Sequence, residues 1–486
     1  MAGTNFLAGQ SSVWVQPDGP NTEPKYLGCH SVGDIPEPKG DSTVLWCPDP
    51  AQVGKFVVKN SFKGEPGTIT TSIETDLRKT ADYLEDLAAK GCPFPLYVHK
   101  VSCGRRDVFS NFDRSFVLSG VEVTSQSLGS LASRNPADEG ESTQSFDLSV
   151  REVLRVFNME TARISVAETE DIMGIAVAGE NVCEGDCGAA QDPDDFMLAV
   201  TKALSGSAAN TADVLMALNG GTWAATAADP FDGGEDIAGA IAFKMSRTVT
   251  RIIVARGTTD GANPAEIAYS DDHGATWTTV NVGSVNGEYV ASSLALFGED
   301  RYNIWLGTDG GRIYFSSDAG ETWTLRESAV ISATDIMAIS MVDTEVGFAV
   351  YTGGQVAKTT DGENWSATTV SGSSDANDIH GISEYFAWVA GADGLYYTMD
   401  GGTTWSVRTT YNAGAIDFYN ELFGIAVGGA ANGSIWMTLN GGYDWLALPA
   451  FTHGGLTDVR IVSPKLAYFT GLASGGTGYI GKITPA

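Results

Sequence analysis

Residues 270–277 read SDDHGATW, and the chain repeats the pattern closely as SSDAGETW (316–323), TMDGGTTW (398–405) and TLNGGYDW (438–445). Two shorter relatives, ALNGGTW (217–223) and TTDGENW (359–365), are one residue short between the acid or amide and the Trp. The residue types are those of a hairpin turn. Asp272, Asp318, Asp361 and Asp400 can accept hydrogen bonds from backbone N–H groups ahead of them. Gly274, Gly320, Gly402 and Gly442 supply positive φ. Ser270, Ser316, Thr276 and Thr322 add hydroxyl partners. Trp223, Trp277, Trp323, Trp365, Trp405 and Trp445 then anchor the following strand on an apolar body. Asn219 and Asn440 keep the acceptor oxygen of the Asp they replace. These turns are expected to be architectural, with a different turn in the two short copies.

The six Trp residues are spaced by 54, 46, 42, 40 and 40 positions, a period typical of propellers and other arrays. Within each period an apolar segment comes first, such as DIMAISMV (335–342) or DFYNELFGIAVGG (417–429). A short strand follows, such as GRIYFSS (311–317) or GLYYTM (394–399), then the turn, then another strand. Three or four short strands per repeat is the pattern of a propeller blade. The last segment, GTGYIGKITPA (476–486), resembles the strand before a turn, but the chain stops before any turn. A strand from the start of the domain, ARISVAE (162–168), is placed to complete that sheet and remove its raw edge. Seven blades are expected, with six as the alternative.

These boxes resemble the Asp-box (BNR) repeat, S-x-D-x-G-x-T-W, over about residues 170–486. The repeat occurs in sialidases, sortilin-type receptors and photosystem II assembly-factor-like proteins. The resemblance implies a β-propeller with the boxes between the third and fourth strands of each blade, away from any active site. It implies little about function. A sialidase needs an arginine cluster, a tyrosine nucleophile and an Arg-Ile-Pro element. This chain has only RIIV, RIYF and RIVS, which read as strands, and few propeller arginines: Arg247, Arg251, Arg256, Arg301, Arg312, Arg326, Arg408 and Arg460. His30, His99, His273, His380 and His453 are scattered, and no HExxH, GxSxG or Walker loop is present. No catalytic residue, cofactor or metal site is expected.

Length and charge divide the chain. At 486 residues it exceeds one ordinary domain. Residues 1–165 hold 21 acids and 16 bases, and most of the net charge of −31 lies beyond them. The boundary is therefore drawn near 160: an extended N-terminal arm over 1–48, a β-domain over 49–160 and the propeller over 161–486. The acidic surface disfavours nucleic-acid binding. No apolar run approaches the roughly 18–20 residues of a membrane helix, so no membrane insertion is expected, and the N-terminus does not read as a signal peptide. Six cysteines are too few for a disulfide-built fold. CEGDC places Cys183 and Cys187 to close a small disulfide loop or form half a metal site, and most of the thiols are expected free and buried.

The β-domain contains FVVKNSFKGEPGTITTSIET (56–75), read as two strands around a Gly-Glu-Pro-Gly turn. DLRKTADYLEDLAAKG (76–91) reads as a helix with Thr75 as N-cap, Gly91 as C′ and a stripe of Leu77, Ala81, Leu84 and Ala88. LYVHKV (96–101), FVLSGVEVTSQSLG (116–129) and SFDLSVREVLRVF (145–157) alternate as half-buried strands. A β-sandwich or partial barrel with one helix is expected, giving an all-β chain. Over about 50–160 this order resembles the major tail (tail-tube) proteins of long-tailed bacteriophages. The resemblance implies six subunits joined in a ring and rings stacked into a tube. Viral DNA would pass through the lumen without specific binding. The chain would be a structural protein of the virion tail, assembled in the host cytoplasm, with the propeller outside and available to a host-surface glycan or protein. A non-viral binding or assembly-factor propeller is the alternative, and a glycan-active enzyme a third.

Overall fold

A computed structural model describes residues 11–16, 21–32, 42–48, 56–62, 69–75, 83–85, 87–89, 94–99, 115–128, 144–150, 152–156, 159–164, 171–178, 196–201, 214–218, 222–231, 237–245, 249–257, 264–283, 288–296, 302–327, 334–370, 373, 375–429, 433–448, 454–472 and 478–485. The chain is all-β, with short helical stretches described only at 83–85 and 87–89.

In the N-terminal part the strands are β1 (Ser11–Val15), β2 (Lys25–Val32), β3 (Ser42–Pro48), β4 (Phe56–Phe62), β5 (Ile69–Thr75), β6 (Phe94–His99), β7 (Ser115–Leu128), β8 (Gln144–Val150) and β9 (Glu152–Val156). Seven of them form one sheet in the order β6-β1-β2-β5-β8-β7-β9, and β6 also pairs with β7. The fourteen-residue β7 makes this possible. Its first half pairs with β6 and β9, and its second half with β8. Gly120, at φ 58°, lies where the partner changes. Val13, Val15, Ile73, Leu96, Leu118, Phe146 and Leu148 fill the space within.

Two expectations are corrected here. The arm drawn over 1–48 contains β1 and β2, which are internal strands of the sheet; the alternation in SSVWV buries Val13 and Val15 completely. The two strands around Gly-Glu-Pro-Gly exist, but they do not pair with each other. β4 pairs with β3, and β5 with β2 and β8. Thr75 closes β5, and the buried helical positions are Leu84 and Leu87. Leu77, Ala81 and Gly91 lie outside the described residues, as do Cys183 and Cys187.

The rest of the chain forms four-stranded antiparallel sheets. They are β11–β14 (Ile172–Ala178, Phe196–Thr201, Val214–Leu218, Ala224–Ala225), β15–β18 (Ile237–Lys244, Thr250–Arg256, Glu266–Ser270, Thr278–Asn281) and β19–β22 (Val290–Leu296, Ile304–Thr308, Ile313–Ser316, Thr324–Glu327). Next come β23–β26 (Ile336–Met341, Gly347–Tyr351, Gln355–Thr359, Trp365–Thr369), β27–β30 (Ala376–Gly381, Ala387–Gly391, Gly394–Thr398, Ser406–Thr409) and β31–β34 (Ala413–Phe418, Gly424–Gly428, Ser434–Thr438, Leu446–Ala447). The final sheet takes β35 (Leu456–Ser463), β36 (Leu466–Gly471) and β37 (Tyr479–Pro485) from the end of the chain. Its outer strand, β10 (Met159–Ile164), comes from the start of the domain. β10 runs Met159↔Pro485 to Ile164↔Ile480, so it overlaps only the first three residues of ARISVAE.

The first strands of successive sheets pack on one another, from β11 on β15 through to β31 on β35, and β35 packs back on β11. That closed succession is a β-propeller, with the first strands around the axis. Each first strand carries a register shift near its start, as at Ala376/Asp378 and Leu456/Asp458. A bulge of this kind bends and twists the strand toward the axis.

The seams between sheets are where the core lies. Trp277, Trp323, Trp365, Trp405 and Trp445 each sit in a cluster that joins their own sheet to the preceding one. Trp223 does the same across the closure, against Tyr468 and Ile480. The final sheet has no Trp-ending turn to offer. The core at its seam with β31–β34 contains Trp14, Tyr97 and Val117 of the N-terminal sheet instead, packed with Leu422, Phe423, Leu439 and Phe469. The N-terminal sheet thus supplies Trp14 and Tyr97 as aromatic filling at this seam.

Candidate functional site

The Trp-ending turns repeat one hydrogen-bond scheme. In the first, the Ser270 hydroxyl donates to Asp272 Oδ1 at 2.8 Å and accepts from the Gly274 N–H at 2.8 Å. Asp272 also accepts from the Thr276 N–H at 2.8 Å and from the Thr276 hydroxyl at 2.6 Å. The same bonds join Ser316, Asp318, Gly320 and Thr322, and again Thr398, Asp400, Gly402 and Thr404. Burial disfavours the charge of Asp272, Asp318 and Asp400, but the donated bonds outweigh it and hold all three carboxyls below their ordinary range. In the short turn, Asp361 accepts from the N–H groups of Glu363 and Asn364, one residue earlier than its counterparts, and from the Asn364 amide. Asn219 lies outside the described residues.

The side chains in these turns are occupied with one another and with the preceding sheet. Trp277 Nε1 donates to the Ala228 carbonyl at 2.9 Å. Arg251 clamps Asp271 with two bonds of 2.8 and 2.7 Å and reaches the next turn at the Ala319 carbonyl and Glu321. Arg256 pairs with Glu266, Arg312 with Glu288, and Arg326 with Glu363. Arg408 lies over Tyr397 and Tyr443 and donates to Asn21 Oδ1 at 2.6 Å. Arg251, Arg326 and Arg408 reach from their own sheet to a neighbouring segment, Arg256 and Arg312 pair within their own repeat, and the five do not converge on one point.

Charge does converge near the axis. Asp378 on β27 accepts from the Ile416 N–H of the next sheet at 2.9 Å. Asp417 on β31 accepts from Ile461 at 2.7 Å, and Asp458 on β35 from Ile175 at 2.9 Å. Each carboxylate therefore clasps its sheet to the one that follows, the last across the ring closure. Arg460 faces Asp458, Asp417 and Asp378. Burial works against its charge, but the three acids outweigh it and strengthen its hold on the proton. Its side chain is nevertheless exposed, as expected of a group surrounded by protein yet reached by water along an axis. His380 Nδ1 lies 3.3 Å from Asp417 Oδ1.

This arrangement predicts a pH effect. Burial, then repulsion from Asp458, push Asp378 up to about 6, against the bond from Ile416. The ordinary value is about 3.9. Between those values the folded chain holds a proton that the unfolded chain does not, so this group's contribution to stability grows as pH falls through 6 and shrinks as pH rises. The stability gap between the wild type and Asp378→Ser should widen by about 1–2 kcal/mol from pH 7 to pH 5, read from denaturant unfolding. A gap independent of pH would show that Asp378 does not titrate there.

Beside His380 the face that carries the Trp-ending turns holds a cleft of about 510 Å³ between β27–β30 and β31–β34. Tyr385, Met399 and Tyr419 line it and are 60%, 44% and 43% exposed. The two loops that form it are stiff. The Ser383 hydroxyl accepts from the N–H groups of Tyr385 and Phe386, and Asn420 Oδ1 from those of Leu422 and Phe423. Asp343 makes the same turn one sheet earlier. The stretch DIHGISEYFAWVAG (378–391) spans β27, this turn and β28. The Asp/Ser/Asn at this offset was the signal that a second repeated turn was present.

No family model matches the chain, and no curated protein matches it. The solved structures it resembles include YCF48 bound to D1 peptide (12% identity, 68% of this chain and 97% of that one, TM-score 0.48). They also include the RRP9 WD40 repeats (10%, 67% and 98%, TM-score 0.49) and the GH74 xyloglucanase from Xanthomonas campestris (13%, 66% and 53%, TM-score 0.46). The propeller assignment rests on the closed succession of sheets described above.

Proposed function

We propose that this chain is a structural, self-associating protein: a seven-bladed Asp-box propeller fixed to a tail-tube-like β-domain that joins neighbours into rings. Stacked rings would form a virion tail tube that conducts DNA without binding it, with the acidic propellers outside, meeting a host-surface glycan or protein. Neither domain is given a catalytic step in this reading.

The observation that carries the self-association is the strand pairing of the β-domain. The antiparallel β3–β4 pair, seven residues on each side, is a two-stranded sheet of its own, separate from the seven-stranded one. A pair of that length is a template for a strand from another subunit. The shared core of Trp14, Tyr97, Leu422 and Phe423 supports a propeller carried at a fixed angle rather than on a loose tether.

Negative-stain images of the purified full chain test this. Rings or tubes with peripheral knobs are expected, and deletion of residues 42–62 should leave separate particles that still contain the propeller. Compact monomers of the unaltered chain at every concentration tried would overturn the reading.

A further inference from the structure

Two repeat positions single out one blade. In the turn begun by Asp343, Ser383, Asn420 or Ser463, the residue two places on is Glu345, Tyr385, Leu422 and Lys465 respectively. Immediately after the first residue of the six Trp-ending turns stand Leu218, Asp271, Ser317, Thr360, Met399 and Leu439, three of them polar. Leu422 and Leu439 are apolar because the β-domain covers them. Tyr385 and Met399 are apolar without such a cover, at positions where the fold accepts Glu, Lys, Asp, Ser or Thr. Folding does not ask for them there, and exposing them has a solubility cost.

From this we infer that the cleft between Tyr385 and Tyr419 is a binding site for a neutral glycan. A pyranose has an apolar C–H face and a rim of hydroxyls. The cleft offers both counterparts: exposed tyrosine rings for the face, and His380 and Glu421 for the hydroxyls. With its Nδ1 toward Asp417, His380 leaves Nε2 to hydrogen-bond a sugar hydroxyl. The exposed Glu421 carboxylate accepts hydroxyls and repels acids. The net charge of −31 does the same over the whole surface, so sialylated and other anionic sugars are disfavoured. Size agrees with a short oligosaccharide segment, since ligand clefts run from about 300 to 1,000 Å³. Lys358 donates to the Glu384 carbonyl at 2.8 Å and lies 5.9 Å from the Tyr385 ring, which holds the loop ready before any ligand arrives.

The site deepens the host-surface half of the function proposed above, but it belongs to the propeller alone. The test uses the full chain against immobilised neutral oligosaccharides of glucose, galactose, mannose and N-acetylglucosamine and their sialylated counterparts, followed by titration of any binder. At least one neutral sugar should bind, and Tyr385→Ala and Tyr419→Ala should each weaken it at least about tenfold. Both side chains are exposed, so the variants should fold. No neutral binder, equal capture of the sialylated set, or binding that survives both substitutions would overturn the assignment. Variants that break up the assembled state, with no sugar ever bound, would make the cleft an interface between copies instead. Imaging the same samples separates the claims: assembly without binding removes this site only, and binding without assembly removes only the tube.

Discussion

Gly442→Ala is expected to destabilise the propeller by about 2–5 kcal/mol, read as a large fall in the unfolding midpoint. Two costs add. Gly442 has φ 87°, where an L side chain is strained by about 1–2 kcal/mol. A Cβ there would also fall inside the van der Waals envelope of the Trp388 indole. Trp388 is fully buried among Phe386, Phe418 and Trp445 and has nowhere to retreat, so overpacking adds about 1–3 kcal/mol. Gly283 is the control, with φ 78° and nothing within 4 Å of its notional Cβ. Gly283→Ala should cost only the backbone part, about 1–2 kcal/mol. Equal effects at the two sites would mean that the turn glycine serves the backbone alone and does not set the approach of one blade to the next.

That comparison also marks what the sequence could disclose. The turn chemistry is local: the Ser, Asp, Gly and Thr of 270–277 bond to one another within eight residues, so their spacing predicted the scheme. The different turn at Asp361 followed from its missing residue. Pairing between distant segments was less accessible. The closing strand was placed within a few residues because an unfinished sheet needs a partner. By contrast, β4 and β5 were read as a hairpin, since nothing near Gly-Glu-Pro-Gly shows that β5 lies between β2 and β8. β1 and β2 were taken for an arm because a short apolar alternation such as SSVWV becomes a core strand only through neighbours some 80 residues away. The cleft was missed for a related reason. Tyr385 and Met399 look ordinary until the repeats are aligned in space and most of their described counterparts prove to be polar or covered.

The same covering explains Asn440 more fully than its acceptor oxygen does, and it leads to the second large effect. Asn440→Asp should cost about 2–4 kcal/mol at pH 7, although Asp is the residue that the corresponding positions 272, 318 and 400 carry. Those three turns lie in solvent. The turn at 438–445 lies beneath the β-domain: the Asn440 carbonyl accepts from the Asn21 N–H at 3.1 Å and from Gln16 Nε2 at 3.2 Å, and the Asn440 side chain is fully buried. Its amide donates to Asp444 Oδ2 at 3.1 Å, where the other turns have a hydroxyl from Thr276, Thr322 or Thr404. Aspartate would replace that donor with a second carboxylate beside one whose pKa burial already raises. A carboxylate fully buried at 440 beside the exposed Asp444 is disfavoured in its charged form, so the pair would hold a proton with a pKa raised above the unfolded value. The folded variant would then bind a proton that the unfolded chain releases, and its deficit against the wild type should shrink as pH falls from 7 toward 4. Denaturant unfolding at pH 7, 5.5 and 4.5 measures this directly. A deficit that stayed constant, or no deficit at pH 7, would show that the β-domain does not seal this turn from water, and the shared core between the two domains would have to be reconsidered.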